Sequence, residues 1–373
     1  MAGVHIVSCL LPGMNGFDYA AAPETRLTTF LLPSASRASF AAGRVRLMPI
    51  AYSAIAAYIG ALPIHVAVAH VAPPGADGRA SLGIAADFSP IAWACARERI
   101  AVVNPLMPAM PRGPSIILAD ADLVVECESP LVEIAPAQPD ATAQSIARHV
   151  AGLVPDRAAL QIGIGGAPAA LWAALSGHRG LRLRSGLASE ELLALADGGA
   201  LADGGHIAGI AAGRADFYRA LAARDLVRLS DTRETHDARR IGREDRFFAC
   251  NSALEVDLFG QINLEWQAGR PISGVGGAPD FAAAGLASPG GRSITMLPAT
   301  AKGGTISRIV ARLGAPAVSL SRNMADVIVT EHGVARLRHA SLDERADALI
   351  AIADPAMREG LAREWNTMRV AMA

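Results

Sequence analysis

At 373 residues and 51% hydrophobic composition, the chain is long enough to bury a sizeable core, and two domains are expected. A formal net charge of -1 and a pI near 6.8 leave no electrostatic footprint for DNA, RNA or an anionic membrane. No apolar run reaches the eighteen or so residues of a membrane span, and the opening "MAGVHIVSCLLPGMNG" has neither a basic n-region nor a small-residue cleavage site, so a cytoplasmic soluble protein is expected.

In chain order, "GVHIVSCLL", "IHVAVAHVA" and "IAVVN" read as strands, with a helix at "SPIAWACARER" before the third. "PLVEIAPAQPDATAQ" then combines three prolines with few core residues and reads as a linker, which sets expected domains at residues 1–138 and 139–373. A helix is predicted from Asp140 or Thr142 through "SIARHVAGL", followed by the strand "ALQIGIG", the helix "APAALWAALSG", the strands "LRLRSG", "LVRLS" and "ADVIVTE", and a helix over "SLDERADALIAIA". Turns are marked by "PPGADG", "DGG" and "SPGG". Strands alternating with Ala/Leu-rich helices give the fold class: α/β, two open, mostly parallel sheets covered on both faces.

The four cysteines are far apart in apolar contexts, which suits buried thiols, and the nine histidines include no H-E-x-x-H, so no metal site is expected. Of the 34 Lys+Arg, 33 are Arg, and Lys302 is the sole lysine. Three glycine clusters are candidates for binding. Gly163, Gly165 and Gly166 lie between a strand and a helix, where free N–H groups attract anions, although Pro168 breaks the dinucleotide fingerprint. Gly274, Gly276 and Gly277 in "PISGVGGAPDF" can offer N–H groups to an oxyanion, and Lys302 and Arg308 flank Gly303 and Gly304. Each also reads as an ordinary turn. Glu255, Asp257, Glu265 and Glu331 sit in otherwise apolar strands, where pairing with Arg is the ordinary explanation.

"LQIGIGGAPAAL", "NSALEVDLFGQINLE", "SGVGGAPDF", "SPGGRSITMLPATAKGGTISRIV", "VTEHGVARL" and "SLDERADALIAIADPAMRE" stand in an order and spacing that resembles the acetyl-CoA hydrolase/transferase family, which includes acetate, succinate and 4-hydroxybutyrate CoA-transferases. The resemblance is dense from Gln161 to Arg358 and weaker upstream, at "VAHVAPPGADGRASLGIAADFS" and "VVNPLMP". It implies two NagB/RpiA-type CoA-transferase domains, an active site between them, a homodimer, and coenzyme A esters as substrates. It also implies that a glutamate attacks the thioester, that Gly277 donates an N–H to the oxyanion, that Glu331 belongs to the site, and that Lys302 and the "GIGG" loop contact CoA.

Three departures qualify that expectation. The tripeptide carrying the family's reactive glutamate falls on Arg184, Ser185 and Gly186, so the nucleophile position is glycine, which cannot form an acyl anhydride. Glu190 and Glu191 lie about a helical turn away and suit a helix start. His236 falls where the family usually has an asparagine, and an imidazole there can serve as general base to a water in the vacated pocket; a solvated loop histidine among Arg233, Asp237, Arg239 and Arg240 is the plainer alternative. Finally, Met1 directly precedes the first strand, so a smaller first lobe with an altered sheet edge, shielded or paired with another chain, is expected. The reading is an acyl-CoA-processing enzyme without an acyl-glutamate, performing hydrolysis or direct acyl transfer. The alternatives are a CoA-transferase with a displaced glutamate and a non-catalytic acyl-CoA-binding partner subunit.

Overall fold

The computed structural model describes residues 3–11 and 13–372. Near the N-terminus, strands His5–Val7, Arg26–Thr29 and Val45–Leu47 form one parallel sheet, and Val66–Val71, Glu98–Val103 and Leu123–Glu126 form another. Alternation in "VAVAHV" buries Ala67, Ala69 and Val71 and turns Val66, Val68 and His70 outward. The register carries that outer face across the sheet, because Val68 pairs with Ile100 and Ile100 with Leu123. Val68 is 64% and Leu123 52% exposed, so this small sheet is not covered on both faces as expected. Its edge strand Leu123–Glu126 is exposed along its whole length.

Residues 127–140 carry neither helix nor strand. Among the described residues, every strand ladder keeps to one side of this segment, and only the isolated bridges of Ala85 with Ile210 and Asp87 with Asp231 cross it. The helix Ala141–Ala151 follows, capped by Asp140, whose Oδ1 accepts the Ala143 N–H at 2.7 Å. Its buried Ala143, Ile146, Ala147 and Val150 form a single apolar stripe.

The C-terminal part is built on a six-stranded sheet in the order Arg182–Leu183, Ala159–Ile162, Phe247–Ser252, Arg292–Met296, Val327–Thr330 and Gly333–Arg336, parallel except for the last pair. Side chains alternate between its two faces. Leu160, Ile162, Phe248 and Cys250 pack with helices Ala141–Ala151 and Gly166–Ala174, whereas Ala159, Phe247 and Ala249 pack with Phe281 and Ala284 of helix Ala278–Ala287. Coverage of both faces explains why central strands such as Ala159–Ile162 and Val327–Thr330 are mostly apolar, each large buried side chain contributing about 1.5–3 kcal/mol.

Two expectations need correction. Cys250 is buried, but Cys95 and Cys127 are exposed, because the first ends a short helix and the second follows the open edge strand. The strand carboxylates take hydrogen bonds rather than Arg partners: Asp257 Oδ1 accepts the N–H groups of Phe259 and Gln261, Glu265 Oε2 accepts the Ser319 hydroxyl at 2.7 Å, and Glu255 Oε2 faces Asn263 Nδ2 at 3.3 Å.

Candidate active site

Parallel strands deliver their C-terminal ends to one edge of the sheet, where ligand clefts of α/β folds form. Gly163 follows Ala159–Ile162, Ser185 and Gly186 follow Arg182–Leu183, and Asn251 lies near the end of Phe247–Ser252. Together with the loop 273–277 they enclose a cavity of about 300 Å3, closed from the N-terminal part of the chain by Leu31, Tyr52 and Asp87. The two parts are tied at this point. The Gly276 carbonyl accepts the Tyr52 N–H at 3.2 Å, and the Asp280 carboxylate accepts the Ser53 N–H at 3.0 Å and the Ser53 hydroxyl at 2.5 Å.

The cavity brings together Gly163, Ser185, Gly186, His236, Gly276 and Gly277. Gly165 instead lines an adjoining cavity of about 210 Å3, which shares Gly163, Ile164 and Leu187 with the first. At φ +132, Gly165 holds a backbone conformation that only glycine adopts freely, and it caps the helix opened by Gly166, which lines neither cavity. Lys302 is exposed on the turn between Thr300–Ala301 and Ile306–Ser307, away from both cavities. Glu331 also lines neither; its Oε2 accepts the Ala299 N–H at 2.9 Å. Glu190 is paired with Arg214, whose hydrogen bonds hold its carboxyl below the usual range, and Glu191 lies on the adjoining cavity.

His236 is 3% exposed, and its ring lies between Tyr52 and Phe281 at centroid distances of 4.5 and 4.8 Å. It ends the short helix Thr232–Thr235, while Asp237 caps the next turn by accepting the Arg239 and Arg240 N–H groups. The charged neighbours are therefore engaged elsewhere, and the imidazole alone turns inward. A Cβ at Gly186 would stand 3.0 Å from His236 Cε1 and Nε2, and one at Gly277 would stand 2.6 Å from Cδ2 and 2.7 Å from Nε2. A side chain at position 186 would therefore press on the ring, which would have to give by a few tenths of an ångström.

Thr235 Oγ1 lies 2.9 Å from His236 Nδ1 and 3.2 Å from the Asp231 carbonyl, to which its hydroxyl can donate. With that proton on the carbonyl, Oγ1 accepts from Nδ1–H, and Nε2 presents a lone pair beside Gly186 and Gly277. Burial without a charged partner pushes the imidazole pKa down to about 3. Gly277 caps the helix Ala278–Ala287, and the first N–H groups of a helix lack intrahelical partners, so this wall can stabilise a developing oxyanion.

Comparison with known proteins fits this geometry. Residues 213–365 match the acetyl-CoA hydrolase/transferase C-terminal domain. The chain is 33% identical over 313 residues to a 4-hydroxybutyrate coenzyme A transferase of Clostridium kluyveri, an alignment covering 82% of this chain and 73% of that one. The chain belongs to the acetyl-CoA hydrolase/transferase family. Among solved structures of this α/β type, RipA from Yersinia pestis superposes with a TM-score of 0.89 at 26% identity, covering 99% of this chain and 94% of that one. A 4-hydroxybutyrate CoA-transferase from Porphyromonas gingivalis gives 0.82 at 28% identity, covering 98% and 94%.

The cavity wall also carries Tyr52, Asp87, Gln161, Asn251 and Phe281, none singled out as a site residue from the sequence although all but Tyr52 fall within the family-like segments. Asn251 had a signal, since it opens "NSALE" and exchanges reciprocal amide bonds of 2.9 and 3.0 Å with Gln161 at the end of the neighbouring strand. Asp87 had one, since it stands in the family-like segment "VAHVAPPGADGRASLGIAADFS"; Tyr52 had none.

Proposed function

We propose that the protein is an acyl-CoA-processing enzyme that acts on a thioester without an acyl-glutamate, by hydrolysis or by direct acyl transfer. The observation that carries this reading is the His236 ring standing within 3.0 Å of the Cβ position of Gly186. With imidazole in place of a carboxylate side chain, the wall offers a hydrogen-bond acceptor, Nε2, rather than a nucleophile that can form an anhydride. A water or other acceptor held by Nε2 would face a thioester carbonyl whose oxygen lies against the Gly277 N–H, and tetrahedral charge would collect where that donor waits. Gly163, Gly165 and Gly166 fit contacts to the CoA portion. Lys302 and Glu331 would act outside the cavity, if at all.

The cavity would lie between domains of residues 1–138 and 139–373, and the open apolar face around Val68 and Leu123 supports association with a second copy. A displaced glutamate is less supported: among the described residues the wall of this cavity contains no glutamate, Glu191 lines the adjoining one, and Glu331 lines neither.

The test is turnover of a panel of acyl-CoA esters by the full chain, followed by free thiol release with and without a carboxylate acceptor, and by borohydride treatment. Thiol release that needs no carboxylate and leaves no trapped glutamyl thioester is expected. Exchange that requires a carboxylate, with a trapped glutamate, would restore the transferase; binding in calorimetry without turnover would make the protein a non-catalytic subunit.

A further inference from the structure

Thioester turnover in this cavity requires a destination for the proton of the attacking acceptor. His236 is ill suited to keep it, because a base whose conjugate acid has a pKa of about 3 orients a water well but holds its proton poorly near neutrality. The other titratable side chains on the cavity wall are Tyr52 and Asp87.

Asp87 is built into the wall in an unusual way. Its backbone has φ +26, a conformation that side-chain-bearing residues rarely adopt, and it is held by the bridge to Asp231 and by the Thr232 N–H, which donates to the Asp87 carbonyl at 3.2 Å. Oδ2 accepts the Tyr52 hydroxyl at 3.1 Å, and that hydroxyl lies 3.1 Å from Cys9 Sγ. Oδ1 is buried and has no hydrogen-bond partner among the described residues. Room for Oδ1 depends on Gly209, where a Cβ would stand 2.6 Å from it. The Gly209 N–H donates to the Gly186 carbonyl at 3.0 Å, which sets the carboxyl beside the corner that lacks its glutamate.

Resting on the thioester reading above, we propose that Asp87 is the general base of this cavity, a carboxylate that replaces the absent glutamate by activating water instead of forming an anhydride. Water bound at His236 Nε2 attacks the thioester carbon as one of its protons passes to Asp87. The tetrahedral intermediate collapses, the carbon–sulfur bond breaks, and the thiolate leaves with the proton returned from Asp87. The products are a carboxylic acid and CoA thiol.

The groups facing Asp87 are consistent with this role. Tyr52 reaches it from helix Tyr52–Gly60, Cys9 lies behind Tyr52, Asp231 lies across the bridge with its charge paired to Arg233, and His236 stacks on Tyr52. Among the described residues no cation offsets the carboxylate, so burial pushes it up to about 7 against the pull of the Tyr52 hydrogen bond. Cys9 is pushed up to about 12 and Tyr52 well above the phenol range, so Asp87 is the member of the chain that changes protonation near neutrality.

The test is the pH profile of thiol release by the full-length wild type, Asp87→Asn and Tyr52→Phe. Wild-type kcat/KM should rise with pH to a plateau through an apparent pKa near 7. Asp87→Asn should lower kcat about 100-fold or more with KM retained, and flatten that limb. Tyr52→Phe should move the limb to higher pH, since the hydrogen bond that stabilises the carboxylate is lost. An active Asp87→Asn that keeps the wild-type limb overturns this assignment alone. A wild type that turns over no ester overturns the thioester reading and the base with it. Should Asp87→Asn not fold, the Tyr52→Phe limb decides: a shift supports the assignment, and an unmoved limb overturns it.

Discussion

The two walls of the cavity respond to burial with opposite sign. On the C-terminal wall His236, stacked between two aromatic rings, loses affinity for its proton; on the N-terminal wall Asp87, buried against the Tyr52 phenol, gains it. The cause is the same on both sides, namely that a low-dielectric cavity without a counter-ion disfavours whichever form is charged. Between about pH 3 and 7 both groups are neutral, and the site is an uncharged pocket. A permanent carboxylate nucleophile needs the opposite condition, so a glycine at position 186 beside a buried imidazole at position 236 makes electrostatic sense as a pair.

The harshest way to break the comparison is to return the carboxylate alone. Gly186→Glu places its first side-chain atom 3.0 Å from the His236 ring and buries a charge in the uncharged pocket, so a loss of about 3 kcal/mol in stability is expected from denaturant midpoints. Pairing it with His236→Asn empties the volume. The double variant should recover most of that loss and yield a glutamyl thioester trappable by borohydride, which neither single variant should give. Equal stability of the single and double variants would mean that the ring does not block the site.

Stability as a function of pH separates the walls themselves. Between about pH 3 and the ordinary histidine value of 6.5, the unfolded chain binds a proton at His236 that the folded chain refuses, so this term raises stability with pH. Between 3.8 and about 7 the folded chain holds a proton on Asp87 that the unfolded chain has released, so this term lowers stability as pH rises. Where the windows overlap the slopes oppose each other. His236→Gln should expose the falling slope and Asp87→Asn the rising one, each about 1.4 kcal/mol per pH unit in urea midpoints referred to wild type. Parallel profiles for both variants would remove the antisymmetry.

The sheet and its helices were legible because their signals are local. "ALQI" and "VIVT" are apolar on both faces, the stripe of Ala141–Ala151 has helical spacing, and Asp140 stands ready as a cap. The corner at Gly186 was singled out through its motif neighbours, and Gly186 lies on the cavity wall. The N-terminal wall was not assigned, because Tyr52 and Asp87 reach the cavity from 134 and 99 positions before Gly186, and Asp87, though inside a family-like segment, stands just before the helix Ser89–Cys95, where a carboxylate suits an ordinary helix start. Burial of His236 was hidden by its charged neighbours, since the two short helical turns around it turn Asp237 to a backbone cap and leave the ring facing inward. The open face of the strand Val66–Val71 was unreadable for a related reason: an exposed valine looks the same in sequence whether or not another layer covers it.

The smallest expected effect concerns what fixes the C-terminal wall. In the proposed site Thr235 Oγ1 accepts from His236 Nδ1–H, so Thr235→Val should leave a buried N–H without a partner at a cost of about 1 kcal/mol in stability. It also frees the ring to move its hydrogen to Nε2, the atom that should accept from water. Turnover should then fall several-fold while the limb assigned to Asp87 keeps its pH, because the N-terminal wall is untouched. A nitrogen-15 spectrum of the ring reports the tautomer directly. If Thr235→Val leaves the hydrogen on Nδ1 and turnover unchanged, the Thr235 bond is packing, and Nε2 owes its lone pair to the cavity rather than to the threonine.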